Sequence, residues 1–200
     1  MFINFKGAKT YINTGGKNID VDKTTLCFIH GSGQNHLSFV QQSRYFANKE
    51  YSVIVPDLPG HGFSEGVPNV SIKENAEWVS DLVKELNLND IVYLGHSQGC
   101  LTGLELNKNH PKLLKGIIFI AGSNIIPVNQ FLIDLASNDF QKAYKMMVTW
   151  GHSKDGAMFT GNMPGHSHFG EGFNIMNMNN EKTLKIDLEA CNKYDGGIDA

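Results

Sequence analysis

The stretch Gly95-His-Ser-Gln-Gly99 follows the apolar run Ile91–Leu94 and opens an amphipathic helical segment. Between a buried strand and a helix, the pattern G-x-S-x-G predicts a sharp turn that holds its serine in a strained backbone conformation. Glycines flank the serine because side chains at those positions would collide with the neighbouring strand and helix. The positive end of the helix dipole lies at the same turn and favours developing negative charge. We therefore predict that Ser97 is a catalytic nucleophile.

A second glycine-containing loop, His30-Gly-Ser-Gly33, follows the apolar strand candidate Thr25–Ile29. Acyl transfer needs two N–H donors directed at the forming oxyanion, one beside the nucleophile and one from the loop of an adjacent strand. The backbone N–H groups of Gln98 and Ser32 fit these two roles, and the glycines let the loop approach a substrate carbonyl. Parallel strands whose crossovers run to opposite faces leave a crevice at their carboxyl ends. We expect the two loops to border that crevice.

Short apolar runs alternate with amphipathic helical stretches up to about residue 124. Such alternation indicates βαβ units with right-handed crossovers, and hence an α/β fold with a mostly parallel, doubly wound sheet. The segment after the last strand is helix-rich and contains a stretch of Gly, Met and Asn. The predicted strands are Phe2–Phe5, Thr10–Asn13, Thr25–Ile29, Ser52–Pro56, Ile91–Leu94 and Leu114–Ala121, and the predicted helices span about 36–50, 71–86, 97–108, 130–150 and 181–194.

Composition and charge exclude several classes of protein. The chain has 200 residues, of which 41% are hydrophobic and 18% are charged, and its net charge is −3. A chain of this length buries roughly 70% of its unfolded surface, so its core needs neither disulfides nor metal. No basic cluster predicts nucleic-acid binding, and no apolar run reaches the ~20 residues of a membrane-spanning helix. We see no signal peptide, and the widely spaced Cys27, Cys100 and Cys191 are typical of reduced thiols in the cytoplasm.

Three loops carry a resemblance to a known family. His30-Gly-Ser-Gly33, Asp57-Leu-Pro-Gly-His-Gly-Phe-Ser64 and Gly95–Gly99, in that order and each after a strand, closely resemble the α/β-hydrolase superfamily, most of all its small esterase, C–C hydrolase and haloperoxidase-like branch. The resemblance implies Ser97 as the nucleophile, with the backbone of Ser32 and Gln98 as the oxyanion donors. It also implies a hydrolase core over residues 1–124, a helical cap over 125–194 inserted after the sixth strand, and a further core segment starting at 195–200.

The end of the sequence departs from that family. The family's catalytic acid and histidine follow the serine, on loops after two further strands. After Tyr194 the sequence has no apolar β-run, no Asp on a following loop and no terminal His, and the loop Gly122-Ser-Asn124 has no carboxylate. We expect a C-terminally incomplete copy of the fold; a rewired or degenerate site is the alternative. Because an unactivated serine is a weak nucleophile, we expect poor activity, and an open edge at the last strand should lower solubility.

Other polar side chains near the motifs are predicted to have structural roles. His96 should line the pocket or support the turn, and His30 should hydrogen bond within its own loop. His61 and Asp57 are interpreted as turn residues, with the carboxylate accepting local backbone N–H bonds. Three histidines of the later segment, with Glu171 as a nearby carboxylate, are interpreted as loop residues and not as a metal site: His152, His166 and His168.

These expectations converge on a serine hydrolase that acts on a small, apolar ester or acyl substrate through Ser97, without metal or cofactor. An acyltransferase or a C–C bond hydrolase is a close alternative because a fold does not determine its reaction. A non-catalytic protein that keeps the pocket but has lost its base is a second alternative. The third is a homo-oligomer that completes its sheet through the exposed edge strand.

Overall fold

Six strands form one mixed sheet in the computed structural model, which describes residues 1–152 and 167–200. The strands are β1 (Phe2–Phe5), β2 (Ala8–Asn13), β3 (Thr25–Ile29), β4 (Ser52–Pro56), β5 (Ile91–His96) and β6 (Leu114–Ile120). They lie in the order β1-β2-β4-β3-β5-β6. Strands β3 to β6 pair in parallel, whereas β1 and β2 form an antiparallel hairpin whose second strand pairs with β4. The predicted α/β class and mostly parallel sheet are confirmed.

Helices cover both faces of the parallel strands, as a doubly wound sheet requires. Alternate residues of β3 and β4 point to opposite faces, and every residue of both strands is buried. One face packs against apolar side chains of α2 and α3, and the other against the short 3₁₀ helix and α1. These helices are the 3₁₀ helix (His36–Phe39), α1 (Val40–Ala47), α2 (Ile72–Glu85) and α3 (Gln98–Asn109).

The start of α2 shows how local sequence fixes a helix boundary. Ser71 is the N-cap, and its Oγ accepts from Glu74 N–H at 3.2 Å. The Glu74 carboxylate accepts in return from Val70 N–H at 2.9 Å, one residue before the position that a capping box uses. The predicted capping chemistry is therefore present in slightly shifted form.

Helices alone follow β6 in the part of the chain that the structure describes. They are α4 (Gln130–Asn138), α5 (Phe140–Trp150), α6 (His168–Asn177) and α7 (Thr183–Lys193). The range predicted to be helix-rich, 130–150, contains two helices, which are separated at Asp139; this residue has φ −150°, and its side chain caps α5. These helices share an apolar cluster, and α7 also packs against α2 and α3 through Ala190 and Cys191. The limits of a separate cap domain stay a prediction.

Strand β6 is the edge of the sheet, and its side chains are incompletely covered. Ile118 and Phe119 are 47% and 45% exposed, whereas most of the inner strands are buried. An exposed apolar edge is a surface that favours pairing with another strand. Among the described helices, none is both long and apolar enough to cross a membrane.

Candidate active site

Ser97 lies at the turn between β5 and α3, as predicted. Its backbone has φ 51° and ψ −115°, a combination that side-chain-bearing residues seldom adopt, and its N–H donates to Ile120 O of β6 at 3.0 Å. A Cβ on Gly95 would lie 2.5 Å from Gly99 C, and a Cβ on Gly99 would overlap Ile29 O. Both glycines are therefore required by the close contact of strand and helix.

The loop after β3 packs directly against this turn. The final residue of β3, Ile29, pairs with Gly95 of β5, so the two loops leave the same edge of the sheet. A Cβ placed on Gly31 would lie 3.0 Å from Ser97 Cβ. Neither Ser32 N–H nor Gln98 N–H donates to an acceptor among the described residues. The three predicted site residues therefore meet at one place, with two backbone donors free.

A cavity of about 440 Å³ opens at Ser97 and Ser32. Its wall is formed by the segment after β6 together with residues of α4, α5 and α7. Within the described ranges that wall contains no charged side chain; besides the two serines it is lined by Ile126, Pro127, Val128, Asn129, Leu132, Met147, Trp150, Gly151, Leu188 and Cys191. Gln98 is fully buried behind Ser97 and does not line the cavity with its side chain.

His96 supports the loop and is not directed at Ser97. Its Nδ1 lies 2.9 Å from Gln34 Oε1, the same oxygen that accepts from Gly31 N–H at 3.2 Å. Burial lowers the pKa of His96. The predicted structural role of this histidine is confirmed by these contacts.

His30 is also a structural residue. It is fully buried; its Nδ1 donates to Gly31 O at 3.0 Å, and its Nε2 accepts from Leu58 N–H at 3.2 Å. Burial, helped by the nearby charge of His61, lowers the pKa of His30 to about 4. The ring is therefore neutral at pH 7 and links the first motif loop to the second.

Asp57 organises the second loop, as predicted for a turn residue. Its carboxylate accepts from His36 N–H at 2.7 Å and from Phe63 N–H at 2.9 Å, and His36 Nδ1 lies 2.9 Å away. Its side chain is fully buried. The bond from Phe63 lies within the second loop, whereas the two contacts with His36 tie that loop to the 3₁₀ helix and orient the His36 ring. Asp57 is therefore occupied by structural contacts.

One buried contact near the site has no signal in the local sequence. The sequence predicts only a turn residue at His61, but its Nε2 donates to Asp187 Oδ2 of α7 at 2.9 Å. The same oxygen accepts from Gly33 N–H at 2.7 Å. Burial alone would lower the pKa of His61, but the charge and hydrogen bond of Asp187 and the carbonyl of Pro59 raise it overall. No local motif signals this pair, which is separated by 126 residues.

No general base for Ser97 is found within the described ranges. Ser97 Oγ makes no hydrogen bond there, and no His, Asp or Glu side chain lines the cavity. Burial raises the pKa of the Cys191 thiol, which also lines the cavity, to about 12, so it is a protonated thiol. Cys100 is buried on the first turn of α3, and its Sγ donates to Gly95 O at 3.0 Å, in agreement with its position in the core.

Within residues 1–152 and 167–200, no group of three His, Cys, Asp or Glu side chains lies close enough together to hold a metal ion. His152 Nδ1 lies 2.7 Å from Val148 O, at the end of α5. His166 lies outside the described residues.

Comparison with known proteins identifies the family. Residues 24–188 match the family described as alpha/beta hydrolase fold. The chain belongs to this α/β-hydrolase family. A "Putative esterase/lipase 2" of Mycoplasma genitalium is 30% identical over 104 residues, which are 51% of this chain and 39% of that protein. The "(E)-2-((N-methylformamido)methylene)succinate hydrolase" of Acinetobacter baylyi is 32% identical over 98 residues, 48% of this chain and 37% of that protein. These matches therefore span less than half of each relative.

A solved structure shows the same α/β-hydrolase fold. A hydrolase from Pseudomonas aeruginosa superposes with a TM-score of 0.80 over 98% of this chain and 73% of that chain, at 17% identity. At this identity the likeness establishes the fold alone. Together with the family match, it confirms the resemblance seen in the three motif loops.

Proposed function

We propose that the protein is a serine hydrolase that cleaves a small ester or acyl substrate through Ser97. The observation that carries the proposal is the position of Ser97. It lies in a strained turn and lines a cavity together with Ser32, and two nearby backbone N–H groups have no acceptor among the described residues. Donors fixed in advance at the place where negative charge develops are the largest single contribution to many acyl-transfer reactions.

In the proposed reaction Ser97 Oγ attacks the substrate carbonyl and forms a carbon–oxygen bond. The carbonyl oxygen becomes an oxyanion, which accepts hydrogen bonds from Ser32 N–H and Gln98 N–H. Expulsion of the alcohol gives an acyl-enzyme, and water then releases the acid and restores the serine. The proton of Ser97 must pass to a general base. No side chain within 1–152 and 167–200 holds that position, so we expect the described residues by themselves to support only slow turnover.

The cavity supports an uncharged, largely apolar substrate. Its described wall contains Leu132, Met147 and Leu188, and no charged group there could pair with an ionised substrate. Burying an unpaired charge against such a wall is costly in free energy, whereas burying an acyl chain or a small apolar ring carries no such desolvation cost. The name of the Mycoplasma genitalium relative supports an ester substrate, whereas the Acinetobacter baylyi relative is named for a succinate derivative. We propose a cytoplasmic location because the three cysteines are buried free thiols.

Labelling with a fluorophosphonate probe tests the proposal. Phosphonylation needs a nucleophilic serine and an oxyanion hole but no hydrolytic second step. We expect intact-mass analysis to show one adduct on the wild-type chain after hours of incubation, peptide mapping to locate it at Ser97, and Ser97→Ala to remove it. Ser123→Ala, at an exposed serine outside the cavity, is the matched control and should label like wild type. A wild-type chain that acquires no adduct would refute the nucleophile.

A binding protein of the same fold is the second candidate, because Ser97 Oγ has no base among the described residues. It predicts that an apolar ester raises the melting temperature equally in wild type and Ser97→Ala and is never consumed. Ester turnover that disappears in Ser97→Ala would exclude it.

A further inference from the structure

The helical segment after β6 holds the backbone of the loop that carries Ser32. Gly33 N–H donates to Asp187 Oδ2 at 2.7 Å, and Gly33 O accepts from Asn179 Nδ2 at 2.5 Å. Both polar backbone groups of this glycine are thus bound by side chains that lie more than 140 residues later in the chain. Such contacts fix the conformation of the loop and not merely its distance from the helices.

Asp187 is well suited to bear this contact. It is only 1% exposed, and its charge is balanced by His61, whose Nε2 donates to the same Oδ2 at 2.9 Å. His61 Nδ1 donates to Pro59 O at 2.9 Å, so both ring nitrogens act as donors and the ring is an imidazolium. A hydrogen bond to an ionised acceptor is roughly twice as strong as one between neutral groups. The bond from Gly33 is therefore a strong anchor.

Packing around Gly33 restricts the loop further. Gly33 has φ +65°, and a Cβ there would lie 2.9 Å from Met176 Cε and 3.0 Å from Leu184 Cδ1. On the other side of Ser32, Gly31 N–H is bound to Gln34 Oε1, and Gly31 lies against Ser97. Ser32 therefore stands between two glycines whose backbones are both fixed.

We propose that Asp187 is a positioning residue that fixes the second oxyanion donor, Ser32 N–H, by anchoring Gly33. This inference rests on the proposed function, since it assumes that Ser32 N–H binds an oxyanion. Asp187 does not line the cavity and does not reach the reacting atoms; it acts through the loop backbone. Its backbone carbonyl also accepts from Gln98 Nε2 at 3.4 Å, so one helical residue contacts both donor segments.

Kinetics of fluorophosphonate labelling, with the binding constant separated from the rate constant of the chemical step, test this role. Loss of an oxyanion donor typically costs 10²–10³-fold in rate, and a misplaced donor should cost less. For Asp187→Ala we expect the rate constant to fall by about 10–100-fold while the probe's binding constant changes less than about threefold. Asp187→Asn keeps an acceptor oxygen for Gly33 N–H and should recover most of the rate. If Asp187 only stabilised the fold, the rate constant would not fall selectively in Asp187→Ala, and Asp187→Asn would not restore it.

Matched controls keep the test falsifiable. Glu189→Ala removes a half-buried carboxylate of the same helix that pairs with Lys193 and does not line the cavity, and this variant should label at the wild-type rate. Far-UV circular dichroism identifies variants that do not fold; if Asp187→Ala unfolds, Asp187→Ser, which keeps a small polar side chain, replaces it. An unchanged rate constant in a folded Asp187→Ala variant would overturn the positioning role while leaving the proposed function intact. A wild-type chain that is never labelled would overturn the proposed function, and the positioning role with it.

Discussion

The strain at Ser97 leads to a prediction about stability that is opposite to the usual effect of glycine. At φ 51° and ψ −115° a residue with a Cβ pays roughly 1–3 kcal/mol, whereas glycine adopts this region readily. Glycine also makes the unfolded chain more flexible, which costs about 0.5–1 kcal/mol. The second term subtracted from the first leaves between about 0 and 2.5 kcal/mol, so we expect Ser97→Gly to be about 1 kcal/mol more stable than Ser97→Ala. Alanine is the right reference because it keeps the Cβ, and Ser97 Oγ makes no hydrogen bond among the described residues.

Urea unfolding followed by far-UV circular dichroism measures the difference. With a denaturant slope of about 2 kcal/mol/M, the midpoint of Ser97→Gly should exceed that of Ser97→Ala by ~0.5 M. Ser137, exposed in α4, supplies the control pair. There the order should reverse, because glycine is up to about 1 kcal/mol worse than alanine in a helix. If Ser97→Gly were no more stable than Ser97→Ala while the control pair behaved as expected, the inference that the backbone at Ser97 is strained would be refuted.

Three further predictions follow from the fold and its buried histidines. Gly99→Ala should lower the free energy of unfolding by ~3 kcal/mol or more, because the new Cβ would overlap the last carbonyl of β3. At Gly116 a Cβ would meet nothing within 4 Å, so Gly116→Ala should change the free energy of unfolding by less than about 1 kcal/mol. Urea unfolding midpoints measure both effects. The free energy of unfolding should fall by roughly 3 kcal/mol from pH 6.5 to 4, because His30, whose pKa in the folded protein is about 4, takes up its proton mainly in the unfolded chain. It should also fall above pH 6.5, because the pKa of His61 is raised in the folded protein and the stabilising proton is lost there. Urea midpoints that rise steadily through pH 8 would contradict the effect assigned to His61. Ile118→Lys on the open edge strand should reduce self-association in size-exclusion chromatography with light scattering, and a wild-type chain that is already monomeric at high concentration would contradict this.

Segments whose structure depends on nearby residues were predicted well from sequence. The bounds of β3 and β4 agree with the prediction because a continuous apolar run between turn residues leaves little choice. The helical segment was predicted less well. The helix-rich range 130–150 does not reveal the break at Asp139, and the sequence does not predict α6 because Gly170 and Gly172 have low helix propensity. Packing between helices overrides both local signals, since α6 contributes Met176 to the shared apolar cluster.

The site divides in the same way. Ser97, Ser32 and Gln98 could be predicted because each lies in a short motif at the end of a strand, and the parallel sheet brings those ends together. The contacts of Asp187 could not be predicted, because its partners His61 and Gly33 are 126 and 154 residues away and an Asp on an amphipathic helix is typical of an exposed face. Only the tertiary packing of α7 brings this carboxylate into the interior.

The position of α7 connects substrate binding with the proposed oxyanion hole. Leu188 and Cys191 line the cavity, while Asp187, the residue next to Leu188, holds Gly33. A helix moves nearly as a rigid body, so a ligand that displaces Leu188 must also displace Asp187 and strain its bond to Gly33. A ligand that fits the cavity leaves that bond intact and keeps Ser32 N–H in place. Under the proposed function, the helix that borders the cavity also holds the donor loop, and we therefore expect changes in cavity size to alter the rate of the chemical step as well as affinity.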